Sequence, residues 1–138
     1  MRKKEVKRIL SIGSLNCHGM KEKVDYPEFY HLVSDNDIFG VSETWLKDKD
    51  KISLPGFDYY PLNRKINQGP TKGGIGVFIR SEIKKFVKIR YDLSDETCLW
   101  CKIGGEYTGY RDDLYLGELH YFRNCPVRND SEKTKMFH

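Results

Sequence analysis

The chain has 138 residues and a mass of 16.2 kDa, the length of one domain. Mean hydropathy is -0.66 and 32% of residues are charged, yet 38% are hydrophobic and 13% aromatic, which excludes a disordered tail. No run approaches the ~20 apolar residues of a membrane span, so no membrane partner is expected, and the net charge of +4 matters more for where it lies than for its size.

Residues 1–8 carry five basic side chains against Glu5 and read as a solvated basic arm, with nucleic-acid contact as the alternative. Ile9–Leu15 is apolar and of strand length. Its Ser11, Gly13 and Ser14, followed by Asn16 and His18, argue against a signal peptide. Asp25 is placed to cap a helix, with Pro27 in the first turn and Glu28 three residues on. Phe29, Leu32 and Val33 have the spacing of a buried stripe, and Asp35-Asn36-Asp37 ends it. Ile38–Ser42 is a second short strand.

The 22 residues between these strands (16–37) suit a crossover joining parallel neighbours. Asn16 follows the first strand directly, and Glu43 follows the second. Parallel neighbours would bring both side chains to one carboxyl edge, where open α/β sheets place their ligand sites.

The middle is loop-rich, with Lys47–Lys51 alternating in sign, a turn at Leu54-Pro55-Gly56-Phe57 and a polar stretch from Asn63 to Lys72. Gly73-Gly74-Ile75-Gly76-Val77-Phe78-Ile79-Arg80 reads as a strand entered through glycines. These glycines match no nucleotide-binding fingerprint, and close backbone packing explains them better. Phe86–Arg90 alternates, with Val87 and Ile89 on one side. Thr97–Ile103 and Asp113–Tyr121 each read as one strand, and the tail from Asn124 is polar. One strand-helix-strand unit followed by hairpin-like strands predicts an α/β (α+β) fold with a mixed sheet.

Cysteines stand at 17, 98, 101 and 125. Without a secretory signal they suggest a reducing, intracellular setting, nucleus or cytoplasm. Cys98 and Cys101 have C-x-x-C spacing, but on a strand they point to opposite faces, which argues against a shared metal. His18, His31 and His120 show no ligand spacing, and the Asn129-Asp130-Ser131 sequon is expected to be idle. Trp45 reads as a packing residue, with base stacking as the alternative. Residues 64–90 carry eight basic side chains against Glu82 alone, which suits a polyanion such as a DNA backbone.

Leu15-Asn16-Cys17-His18-Gly19, Ser42-Glu43-Thr44-Trp45-Leu46 and the glycine-led strand at 73–80 occur in the order and spacing of a known family. With these motifs the chain resembles the endonuclease/exonuclease/phosphatase family. It is most similar to the endonuclease domains of non-LTR (LINE-type) retrotransposons, which accompany a reverse transcriptase. The resemblance runs from about Ile9 to Tyr121 and implies a four-layer α/β/β/α sandwich of the DNase I-like type. It also implies Mg²⁺-dependent (or Mn²⁺-dependent) hydrolysis of phosphoesters, here nicking of DNA. The family's metal carboxylate falls on Glu43, and the Asn that orients metal site and phosphate falls on Asn16. The tyrosine approaching the phosphate falls on Tyr121, with Tyr115 as a second candidate. At Tyr121 the family's Y-x-P-like ending is replaced by Tyr121-Phe122-Arg123.

The departures carry equal weight. After Tyr121 the family pattern needs a D-x-N motif, a late Asp and a terminal S-D-H. The chain offers only Asp130 in Asn129-Asp130-Ser131 and ends in Met136-Phe137-His138. The resemblance thus implies the N-terminal half of such a domain at 9–121, between a basic arm (1–8) and a polar tail (122–138). The expected function is a truncated endonuclease of weak or no activity, with DNA as partner. A half-sandwich would need its missing half, or self-association, to cover the open sheet. The alternative is a non-enzymatic nucleic-acid-binding module using the basic arm and residues 64–90.

Overall fold

The computed structural model describes residues 10–63, 73–95, 98–109 and 112–117, and the backbone of 120–122. The basic arm, most of the polar tail, Cys125, the sequon and the segment 64–72 lie outside the described residues.

The first strand, β1 (Ile12–Asn16), leads through a 3₁₀ turn at Lys23–Asp25 into helix α1 (Pro27–Ser34), and β2 (Ile38–Ser42) follows. β1 and β2 pair in parallel, with Asn16 opposite Ser42. Two antiparallel strands complete this mixed sheet, β3 (Phe57–Leu62) and β4 (Ile75–Arg80), in the order β1-β2-β4-β3. A second sheet is antiparallel throughout: β5 (Val87–Ile89), β6 (Trp100–Ile103), β7 (Leu114–Gly117) and β8 (His120–Phe122), in chain order. A one-turn helix, α2 (Gly105–Thr108), links β6 to β7.

Side-chain alternation builds the layers. Phe39, Val41 and Phe78 project from the first sheet onto Phe29 and Val33 of α1. The rings of Phe29 and Phe78 meet edge to face at 5.9 Å. Ile38, Val77 and Ile79 project the other way, onto Leu99, Cys101, Ile103, Leu114 and Leu116 of the second sheet. Each such fully buried side chain contributes about 1.5–3 kcal/mol of burial. Helix, sheet and sheet are thus stacked, and Leu93, Cys98, Trp100 and Tyr115 cluster on the outer face of the second sheet. Cys98 and Cys101 do face opposite sides.

Four sequence expectations change. The loop-rich middle contains a strand, β3, hidden because Phe57 and Tyr59 pack toward α1 while Tyr60 and Leu62 pack toward the second sheet. That leaves no polar face, and Pro61 is tolerated because β3 is an edge strand. Asp113–Tyr121 is not one strand but the hairpin β7–β8, with Tyr115 opposite Phe122 and Leu116 opposite Tyr121. Gly117 ends β7 where a Cβ would come within 2.7 Å of the Trp100 ring. The residue capping α1 is Tyr26, without a side-chain hydrogen bond, and Asp25 belongs to the preceding 3₁₀ turn. Leu32 is 42% exposed, so the buried stripe of α1 is Phe29 and Val33.

Candidate functional site

The parallel register carries Asn16 and Glu43 to the same edge of the first sheet. Asn16 is exposed at the last position of β1, on the side facing the second sheet; Glu43 is half-buried one residue past β2. Beyond the regular pairing, the backbone continues as an irregular three-strand extension. Cys17 N–H donates to Ser42 O (2.8 Å), Gly19 N–H to Glu43 O (2.8 Å) and Met20 N–H to Thr44 O (3.0 Å). From the other side, the N–H groups of Thr44 and Trp45 donate to Gly74 O (3.2 Å) and Gly73 O (2.9 Å). Glu43, Thr44 and Trp45 are therefore held on both flanks.

This bracing maintains unusual backbone. His18 (φ 51°), Glu43 (φ 51°) and Trp45 (φ 57°) are the non-glycine residues with positive φ among the described residues, and all three lie at this edge. Left-handed conformation at a non-glycine residue costs of order 1–3 kcal/mol and persists where surrounding contacts over-determine it. For a residue as bulky as Trp it is an outlier. Gly73 and Gly74 (φ 78° and 88°) adopt positive φ as well, which is why glycines enter β4.

The strain sets the side chains. The Trp45 indole N–H donates to Glu43 Oε1 at 2.8 Å. The His18 ring packs on the Trp45 ring at 4.6 Å. Gly19 (φ 95°) leaves room for that ring, since a Cβ there would stand 2.9 Å from Trp45 Cε3. Lys23 Nζ makes no ion pair with Glu43. It donates to the carbonyls of Cys17 (2.6 Å), Gly19 (3.2 Å) and His18 (3.4 Å), clasping the 17–19 loop. Cys17 is buried beneath, and burial pushes its thiol up to about 11 despite Lys23 nearby. It is an inert thiol rather than a nucleophile. Thr44 Oγ1 is buried without a hydrogen-bond partner among the described residues.

A cavity of about 410 Å³ opens beside Asn16 and Ser42 and runs between the two sheets, past Ser14 and Gly40 to Leu99 and Leu116. Among the described residues, no three His, Cys, Asp or Glu side chains cluster as a metal cage. Among the described residues, Glu43 is a carboxylate at the same edge of the first sheet as Asn16, one residue past Ser42, the register partner of Asn16.

Of the other sequence candidates, Tyr115 and the described cations of the basic block fall elsewhere. Tyr115 belongs to the outer cluster of the second sheet and accepts a long hydrogen bond from Arg90 (3.5 Å), away from Asn16 and Glu43. Tyr121 lies in β8 opposite Leu116, and its side chain is outside the described residues. The described cations of the basic block begin at the opposite end of the first sheet. Arg80 is bound to Asp37 and to the carbonyls of Ser34 and Asn36, and Lys84 pairs with Asp58. Arg90 pairs with Asp92, holding that carboxyl down at about 2.

The sequence reads Trp45 as a packing residue, with base stacking as the alternative, and shows no ligand spacing for His18; the contact of Trp45 with Glu43 is not legible in it. Strand alternation would not have found that contact, because Glu43 and Trp45 are left-handed and the segment is not extended.

The profile of the endonuclease/exonuclease/phosphatase family matches residues 13–135. The chain is 30% identical over 77 residues to a probable RNA-directed DNA polymerase from transposon BS of Drosophila melanogaster. That alignment covers 56% of this chain and 8% of the relative, so the chain spans a small part of that protein. No solved structure matches.

Proposed function

The chain belongs to the endonuclease/exonuclease/phosphatase family, and from that premise we propose that it carries one part of a divalent-cation-dependent endonuclease site, with DNA as substrate. In this reading Glu43 is the cation's carboxylate and Asn16 a neutral ligand or phosphate donor. The family resemblance assigns Tyr121 the role of the tyrosine that contacts the phosphate. The observation that supports the reading is that Asn16, at the end of β1, and Glu43, one residue past the parallel β2, share one sheet edge, with Glu43 held by a neutral donor.

The donor set fits Mg²⁺ or Mn²⁺. Both take oxygen ligands, and Mg²⁺ keeps most of its waters, so one carboxylate and an amide oxygen suffice on the protein side. Glu43 has no cationic side chain bonded to it among the described residues, so its charge stays available. A bound ion would polarise a phosphoryl oxygen and stabilise the leaving oxygen. Asn16 can donate its amide N–H to a phosphate oxygen without adding charge. The chain has no D-x-N or S-D-H to activate and align water. General-base catalysis is worth about 10²–10⁴-fold, so turnover by these residues alone is proposed to be slow. The similarity to a transposon polymerase supports a retrotransposon setting, in which such a domain would nick target DNA beside a reverse transcriptase.

Binding without catalysis is the second reading. Among the described cations of the basic block, Arg80, Lys84 and Arg90 are each engaged with a carboxylate, and Lys85 and Lys88 are not.

The test is nicking of supercoiled plasmid by the purified chain. Slow nicking is expected, stopped by EDTA and lowered about 10²-fold by Glu43→Ala. Nicking that survives Glu43→Ala would overturn the assignment. A folded chain that binds DNA and never nicks would favour the binding module.

A further inference from the structure

Trp45 combines features that ordinary packing does not call for. Its backbone is left-handed (φ 57°), as is that of Glu43 (φ 51°), and the buried Thr44 lies between them. The three residues are fixed by backbone hydrogen bonds to Gly19 and Met20 on one flank and to Gly73 and Gly74 on the other. The result is one specific contact, the 2.8 Å hydrogen bond from the indole N–H to Glu43 Oε1. The ring itself is wedged between Gly19, which has no Cβ to obstruct it, and the His18 ring.

The donor is neutral. An Arg or Lys in its place would orient the carboxylate but also offset its charge. An indole N–H orients without neutralising. No second hydrogen bond to the Glu43 carboxylate is formed among the described residues, so one oxygen is held and the other is left for a ligand. Groups of this kind fix the first ligands of metal sites, and their loss typically costs 10–100-fold in affinity or activity.

We propose that Trp45 is a positioning residue that locks the Glu43 carboxylate in the orientation needed to receive a divalent cation, with His18 and Gly19 holding the indole in place. This rests on the cation reading of Glu43 given above.

Nuclear magnetic resonance and Mn²⁺ binding on the full chain test it. The chain has two tryptophans, so two indole N–H signals are expected, and Trp100 serves as the internal control. Glu43→Ala should move the Trp45 signal and leave that of Trp100 in place. Mn²⁺ should broaden the Trp45 signal in the wild type and not in Glu43→Ala. Trp45→Phe keeps a ring against Gly19 and His18 but lacks the N–H. It should retain the fold by circular dichroism and bind Mn²⁺ about 10-fold more weakly or worse by electron paramagnetic resonance. In nicking assays its kcat should fall while KM for DNA holds.

Unchanged Mn²⁺ affinity in a folded Trp45→Phe would overturn the proposal and leave the cation reading intact. Absence of any Glu43-dependent Mn²⁺ binding in the wild type would overturn the cation reading, and the positioning role with it. Should Trp45→Phe fail to fold, the indole signal still decides: a Trp45 resonance indifferent to Glu43→Ala overturns the proposal.

Discussion

At one end of the first sheet, Arg80 reaches Asp37 (3.2 Å) and the carbonyls of Ser34 (2.7 Å) and Asn36 (2.6 Å), while Asp37 also accepts from Ser11 N–H (3.0 Å). The Arg80 cation lies 4.8 Å from the centre of the Phe57 ring and meets the carbonyl end of α1, where the helix dipole favours it. At the other end, Glu43 has a neutral partner and the backbone beneath it is left-handed. The two ends belong to the same four strands. One uses its charges to tie helix to sheet, and the other holds a charge that no described cation pairs with, on strained backbone. Charge matched with charge marks architecture here, and charge matched with a neutral donor marks the candidate site.

The largest expected effect comes from the paired end. Arg80→Met removes three side-chain hydrogen bonds and leaves Asp37 half-buried with only Ser11. Loss of charge-assisted bonds at a partly buried position predicts destabilisation of about 2 kcal/mol by urea unfolding. Glu43-dependent cation binding should persist. If Arg80→Met instead keeps its stability and loses affinity for DNA, Arg80 is a nucleic-acid contact and the contrast between the ends fails.

A smaller effect, of opposite character, is expected at the strained end. Both Glu43→Ala and Glu43→Gly remove the carboxylate and its bond to Trp45. They differ only in how they tolerate φ near 51°. Left-handed backbone costs a non-glycine residue about 1–2 kcal/mol, while glycine gives back about 0.4–1 kcal/mol through its freer unfolded chain. Glu43→Gly should therefore be the more stable variant by roughly 0.5–1 kcal/mol, the reverse of the usual order in regular elements. Equal stability, or a more stable Ala variant, would mean that the backbone relaxes in solution and no strain is stored.

Sequence reasoning reached the parallel pairing of β1 with β2, and with it the placing of Asn16 and Glu43 at one sheet edge, because hydrophobic runs, a crossover of adequate length and a Pro27-led helix are local signals. It missed β3, whose two apolar faces and Pro61 erase alternation, and it fused β7 with β8 because a tight hairpin among β-formers leaves little mark. It did not reach the Trp45–Glu43 bond. That bond depends on φ angles set by carbonyls of Gly73 and Gly74, some thirty residues away in the chain. The same distance effect hid Arg80, which is one more cation in a basic run until the fold sets it beside Asp37.

The smallest expected effect tests whether the paired end owes stability to its charges. Asp58, on β3 opposite Ile79, accepts hydrogen bonds from Ser81 Oγ and Lys84 Nζ. These hold its carboxyl below the ordinary Asp value, Ser81 contributing most and Lys84 next, against a modest opposing effect of burial. A carboxyl lowered in the folded state stabilises the fold above its unfolded value of about 4, and that contribution disappears as pH falls through the lowered value. Asp58→Asn should therefore melt slightly below the wild type from neutral pH down to about pH 4, and the two melting curves should converge on further acidification. Added salt should narrow the gap at neutral pH, since Lys84 is exposed and the pair is screened. A gap that ignores both acid and salt would mean that Asp58 acts through packing. The paired end would then differ from the strained end in shape rather than in its use of charge.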